Sequence, residues 1–163
     1  MQACIYEAYG PPEVVKVREV ATPTPKAGEV LVRVRAAAVT TADWRLRASA
    51  FPRLFWLPGR LWLGLFRPKR TILGMDFSGV VEAVGNGVSR FRAGDRIFGS
   101  ASASRMGAHA EYLVVEEDGA VLPTPSCLTD EEAAASPSSI ASIRSSASST
   151  PTGTSKAATS VGR

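Results

Sequence analysis

Apolar and charged residues alternate with a period of two through the first quarter of the chain. Val14-Val15-Lys16-Val17-Arg18-Glu19-Val20 and Glu29-Val30-Leu31-Val32-Arg33-Val34-Arg35-Ala36 both carry the pattern, which marks strands with one face buried and one solvated. Residues 3 to about 38 are therefore predicted to be largely extended. Between the two runs, Thr22-Pro23-Thr24-Pro25-Lys26-Ala27-Gly28 has two prolines that lack the N–H a central strand must donate, so it reads as a turn. Further strands are predicted at Gly79–Val84, Arg96–Phe98 and Glu111–Val115, with tight turns at Gly85-Asn86-Gly87 and Ala93-Gly94-Asp95. Thr40-Thr41-Ala42-Asp43 has the side chains that cap a helix N-terminus, and the helix they open runs through Ala50 with Pro52 as its limit. Many short strands, little helix and no strand–helix alternation predict a mainly β chain rolled into a barrel.

The character changes at Ser136. Ten of the last 28 residues are Ser and four are Thr, with no aromatic and no acid. Such a segment buries too little apolar surface to offset its chain entropy, so residues 136–163 are expected to be a disordered low-complexity tail behind a domain spanning 1–135. Glu131-Glu132-Ala133-Ala134-Ala135, just ahead of it, reads as the start of a helix.

At 163 residues and 45% hydrophobic, the chain can build one core. The formal net charge is +4, but the chain through Glu132 is close to neutral; the acid-free tail adds Arg144, Lys156 and Arg163. The alkaline balance is thus partly a tail effect and gives only weak support to a general nucleic-acid-binding surface. Cys4 and Cys127 are far apart and outside any metal-ligand spacing, so they are expected to be free thiols in a reducing cytoplasm. The N-terminus lacks the pattern of a signal peptide, and no apolar run is long enough to span a bilayer.

One stretch stands apart. Between Trp44 and Met75 there are seven basic residues and no acid, interleaved with Phe51, Phe55, Trp56, Trp62 and Phe66. Three readings stay open for segment 51–70. It is an ordinary loop helix whose apolar face packs on the barrel or on a further domain, it forms an apolar lid whose Trp56 and Trp62 touch substrate, or it makes the chain a non-catalytic binding module at a membrane surface or a partner protein.

Ile72-Leu73-Gly74-Met75-Asp76-Phe77-Ser78-Gly79-Val80-Val81-Glu82-Ala83-Val84-Gly85 continues to Phe91-Arg92-Ala93-Gly94-Asp95-Arg96-Ile97-Phe98-Gly99. Together with Ala37–Trp44, Gly107–Val115 and Leu128–Ala135, this block resembles the medium-chain dehydrogenase/reductase family over residues 1 to about 137. The resemblance is to its zinc-free quinone oxidoreductase-like branch, and it covers only the N-terminal GroES-like (chaperonin-10-like) domain. It implies a partly open β-barrel with short helices. It also implies NADPH-dependent reduction of a quinone, enone or other carbonyl substrate in the cleft between this barrel and a Rossmann cofactor domain.

The resemblance places Thr40, Thr41, Asp43 and Asp76 as catalytic-site candidates, Met75 on the substrate wall, and Thr40 beside the nicotinamide. Zinc-dependent members carry Cys where this chain has Thr40 and His where it has Met75, and neither replacement is a zinc ligand, so no metal is expected. The zinc-free branch carries Asn at the Thr40 position, from which this chain also departs. Thr40 and Thr41 also read as a plain N-cap, Asp43 as a first-turn acid, and His109 as a packed or surface residue. A dinucleotide needs a βαβ unit opened by a glycine-rich turn, and Gly85-Asn86-Gly87 sits between strands instead. The Rossmann domain is thus expected to be absent, the chain inactive alone, and the face that met that domain prone to self-association.

Overall fold

The computed structural model describes residues 1–102 and 105–136, so beyond Ser136 the tail expected to be disordered lies outside the described residues. The strands are β1 (Gln2–Tyr6), β2 (Val15–Glu19), β3 (Glu29–Ala37), β4 (Asp76–Val84), β5 (Arg96–Ser100), β6 (Tyr112–Glu116) and β7 (Ala120–Pro123). The α-helices are α1 (Thr41–Ala48), α2 (Arg53–Leu63) and α3 (Asp130–Ala134). The five strands β6-β3-β4-β5-β7 form one antiparallel sheet and β1-β2 another.

Connectivity explains why the larger sheet curls. β6 and β7 lie at its opposite edges, yet only residues 117–119 separate them, in a turn closed by the Gly119 N–H on the Glu116 carbonyl. A flat five-stranded sheet would hold those edges four strand spacings apart, at nearly 5 Å each. The sheet must roll to bring them together, and β3 carries the register shifts that permit it, at Leu31/Val32 and Val34/Ala36. Gly79 sits opposite the second shift, where a Cβ would strike the Arg33 carbonyl oxygen. The rolled sheet encloses Val30, Val32, Phe77, Val81, Ile97 and Val121, each 2% exposed or less. Burying such a side chain contributes about 1.5–3 kcal/mol apiece.

Two strands depart from simple alternation. The first four residues of β3 are all buried, Glu29 included, because β4 and β6 flank it and Arg105 covers Glu29. Beyond Val32 the expected pattern holds, with Arg33 and Arg35 exposed. β2 pairs only with β1, and its Val17 is 65% exposed. The small sheet is joined to the barrel by β1, through bridges Ala3–Ala110 and Ile5–Ile72. β7 was not predicted: it is four residues long and ends in Pro123, which argues locally against a strand.

α3 is the short helix expected near Glu131. Thr129 caps it, its hydroxyl accepting the Glu132 N–H at 3.2 Å while the Glu132 carboxylate takes the Thr129 N–H at 2.9 Å. Ala133 packs against Phe98, and Arg96 pairs with Asp130 at 2.7 Å.

Candidate active site

Thr40 is the N-cap of α1, in extended backbone, and its helix begins where the sequence places it. The Asp43 carboxylate organises the turn. One oxygen accepts the Thr40 backbone N–H at 2.8 Å and the Thr40 hydroxyl at 2.9 Å. The other accepts the Gly74 N–H at 2.9 Å. Asp43 is 3% exposed, so a buried carboxylate is satisfied by three donors, as burial requires. Its chemistry is spent on structure: it bolts the start of α1 to the segment leading into β4.

Gly74 is required there. Its φ is +91°, and a Cβ would lie 2.7 Å from the His109 backbone nitrogen and 2.6 Å from its ring. The Gly74 carbonyl accepts the N–H groups of both Gly107 and Ala108 at 3.0 Å. Alongside, the Ala38 N–H donates to the Asp76 carbonyl at 3.1 Å, and the Ala101 N–H to the Met75 carbonyl at 2.7 Å. Two segments, 38–43 and 73–76, are laced together, and they bring Thr40, Thr41, Asp43, Met75 and Asp76 into one neighbourhood. Thr41 is exposed; Thr40, Met75 and Asp76 are half-buried. Because the Thr40 hydroxyl donates its hydrogen bond to Asp43, what it offers to a bound molecule is acceptor lone pairs.

A pocket of about 420 Å³ lies against this lacing, lined by Cys4, Tyr6, Val39, Trp44, Leu73 and His109, with Asp43 in its wall. Burial, with Tyr9 nearby, pushes the Tyr6 phenol up to about 12, so it stays protonated and cannot serve as a base near neutral pH. His109 packs against Gly74, with its Nε2 3.3 Å from the Ala38 carbonyl. Among the described residues no group of three or more His, Cys, Asp or Glu could hold a metal ion. Cys4 and Cys127 are free.

Of the candidate site residues drawn from the sequence only Asp43 is in the wall of this pocket; Thr40, Thr41, Met75, Asp76, Trp56 and Trp62 are not. Trp56 and Trp62 lie on α2, 44% and 56% exposed.

Sequence reasoning missed Arg105, whose guanidinium pairs with Glu29 and, at 3.0 Å, with Glu116. The hydrogen bond from Arg105, followed by the Lys26 backbone N–H, holds the Glu29 carboxyl below the usual carboxylate range. The same bond to Glu29 raises Arg105. The network fixes the strand β3 to the segment that delivers Gly107 and Ala108 to Gly74. The exposed-looking alternation of β3 hid it, because nothing local to Glu29 announces a partner 76 residues on.

The sequence pattern of the alcohol dehydrogenase GroES-like domain matches residues 26–126. Over 136 residues the chain is 35% identical to the quinone oxidoreductase of Homo sapiens, covering 83% of this chain and 37% of that protein. It is 33% identical over 147 residues to the 2-methylene-furan-3-one reductase of Solanum lycopersicum, covering 86% of this chain and 35% of that one. The Escherichia coli quinone oxidoreductase, solved in complex with NADPH, superposes with a TM-score of 0.68 at 26% identity, over 83% of this chain and 37% of that one. This chain thus spans little more than a third of these relatives' lengths.

Proposed function

Since the chain belongs to the alcohol dehydrogenase GroES-like domain family, in the quinone oxidoreductase-like branch of the medium-chain dehydrogenases/reductases, we propose that it is the substrate-side domain of a zinc-independent, NADPH-dependent reductase of quinones, enones or other carbonyl compounds. The observation that carries this reading is the single carboxylate of Asp43 tying both cleft segments, 40–43 and 74–76, into one preorganised wall. On that wall Thr40 is proposed to offer an acceptor, with Thr41, Asp76 and Met75 beside it, Met75 packing in part against Tyr6, Leu73 and Met106. Asp43 is a positioning residue. Zinc independence rests on Thr40 and Met75, whose hydroxyl and thioether are poor replacements for thiolate and imidazole.

The described residues do not by themselves fit a dinucleotide. That ligand is held at the N-terminus of a helix inside a parallel βαβ unit, whereas every strand pair here is antiparallel. The turn Gly85-Asn86-Gly87 is occupied by barrel contacts, with the Gly28 N–H on the Asn86 carbonyl. NADPH, which supplies the hydride in such enzymes, is therefore proposed to be held by a cofactor domain outside the described residues, and the chain alone to be inactive. The face that meets such a domain is also proposed to drive self-association, which light scattering would register as a mass rising with concentration.

Two measurements test the reading. Calorimetric titration of the purified chain with NADPH gives no saturable heat, and micromolar binding overturns the proposal of an inactive half. Residues 1–135 grafted onto the cofactor half of the Escherichia coli relative restore NADPH-dependent quinone reduction that a zinc chelator does not affect. A folded chimera that binds NADPH yet reduces no quinone overturns the substrate-side assignment.

A further inference from the structure

Among the described residues, α2 is held along one line. Leu63 is buried, and the Arg60 guanidinium lies 3.9 Å over the Tyr9 ring and 5.6 Å from that of Trp56. The Tyr9 hydroxyl donates to the Gly64 carbonyl at 2.8 Å. Positions 56, 60 and 63, three and four apart, mark one side of the helix. The opposite side carries Leu54, Phe55, Leu57, Leu61 and Trp62, all 55–82% exposed, and the stripe continues past the helix to Phe66 at 86%. None of the outward positions 54, 55, 57, 58, 61 and 62 is charged. A contiguous bare stripe of this kind marks an interaction surface rather than ordinary scatter.

Charge identifies what covers it. The whole interval from Trp44 to Met75 lacks an acid. Arg67, Lys69 and Arg70, all exposed, follow Phe66 directly. Lys69 is tied back to the helix, its ammonium 3.4 Å from the Leu61 carbonyl and its N–H 2.8 Å from that of Leu63, which sets this cation at the margin of the apolar stripe, with Arg67 and Arg70 beside it in the chain. A second copy docked face to face would oppose two cationic margins. A protein partner would need an acid-rimmed groove to receive a convex helix, whereas a lipid surface deforms around protruding side chains.

We propose that α2 and the loop through Arg70 lie in the plane of an anionic lipid surface. Leu54, Phe55, Leu57, Leu61, Trp62 and Phe66 enter the acyl boundary, and Arg67, Lys69 and Arg70 meet headgroup phosphates. The proposal goes beyond the reductase reading and uses none of its cleft residues. Arg60 takes no part in headgroup contact, because its charge is directed inward onto Tyr9 and Trp56.

Vesicle flotation of the whole chain tests it, since aggregates do not float. With three surface cations, vesicles containing phosphatidylglycerol should bind on the order of a hundredfold more strongly than phosphatidylcholine alone at low ionic strength, and the preference should shrink with added salt. Leu61→Glu/Trp62→Glu should abolish flotation while its thermal melt matches the parent chain. Arg67→Gln/Lys69→Gln/Arg70→Gln should remove the preference for phosphatidylglycerol. Equal flotation by the glutamate variant, an unchanged lipid preference in the glutamine variant, or no flotation with phosphatidylglycerol overturns the proposal. So does a dimer that the glutamate variant dissolves, which would assign the stripe to a second copy.

Discussion

α1 and α2 are separated by four residues, 49–52, and are held in opposite ways. α1 is fastened by polar groups at both ends. Asp43 takes three donors at its start, Arg47 donates to the Gly10 carbonyl at 2.7 Å, and Ser49 closes it in a left-handed turn. α2 is preceded by Pro52 at its N-cap, which has no side chain able to cap, and contains Pro58, which removes a helical hydrogen bond. Its hold is a side-on contact with Tyr9 and the burial of Leu63. A helix fixed by directional bonds keeps neighbouring backbone in one register, which suits a cleft wall. A helix held by one line of contacts leaves the rest of its surface free for something else.

The contrast breaks first at Asp43. Asp43→Ala should cost about 3–4 kcal/mol in urea unfolding, because it strands the Gly74 and Thr40 donors in a buried site. Hydrogen exchange should accelerate at Thr40, Trp44 and Gly74 beyond the global effect. If the loss stayed below about 1 kcal/mol, the bolt would be ornamental and the cleft wall would lose its organising residue.

Leu63→Ala comes next, at about 2–4 kcal/mol for a buried leucine. It should release α2 to exchange while leaving the α1 amides at their parental protection. Uniform loss of protection across both helices would mean that they form one cooperative unit, and the comparison would fail.

The same difference decides what was legible in the sequence. Thr40, Asp43 and the glycines of the 72–85 block state their roles locally: a capping acid three residues after a threonine, and glycines where φ is positive or backbones touch. The cap, the strand positions and the fold class could therefore be read from short windows. Asp43's third bond was not readable, since Gly74 is 31 residues away. Nor was the outward direction of Trp62, because the side a helix buries depends on Tyr9, far back in the chain. β7 escaped for a related reason: a four-residue strand ending in proline is specified by its partner β5 and by the turn from β6, not by its own residues.

Between the two helices in magnitude lies the Glu29–Arg105 pair, which holds the segment that roofs Gly74. Arg105 keeps the folded-state carboxyl of Glu29 below the usual range, so the folded chain takes up that proton less readily than the unfolded one. The stabilisation is complete above the unfolded value of about 4.3 and drains as pH falls through the lower folded value. Urea midpoints measured downward from pH 7 should therefore fall more steeply for the parent chain than for Glu29→Gln, which lacks the titrating group. Parallel profiles would mean that the pair is screened by water. Protection at Gly107 and Ala108 should weaken along with the midpoint, and α2 should not respond.

The smallest effect belongs to the outward face of α2, and its smallness is the informative part. Replacing a large apolar side chain by alanine in a core costs about 3–5 kcal/mol, because the removed surface had been taken out of water on folding and a cavity remains. Trp62 is 56% exposed and Leu61 57%, so much of their surface stays in water in both states and no cavity forms. Trp62→Ala and Leu61→Ala should each shift stability by about 0.5 kcal/mol or less, as ordinary surface substitutions do. Two large apolar side chains with almost no bearing on folding, beside a single aspartate worth several kcal/mol, would separate the part of this interval that builds the barrel from the part that faces outward. A loss above about 2 kcal/mol at either position would mean that the stripe is covered within the chain itself, and the helix would then belong to the core on both sides.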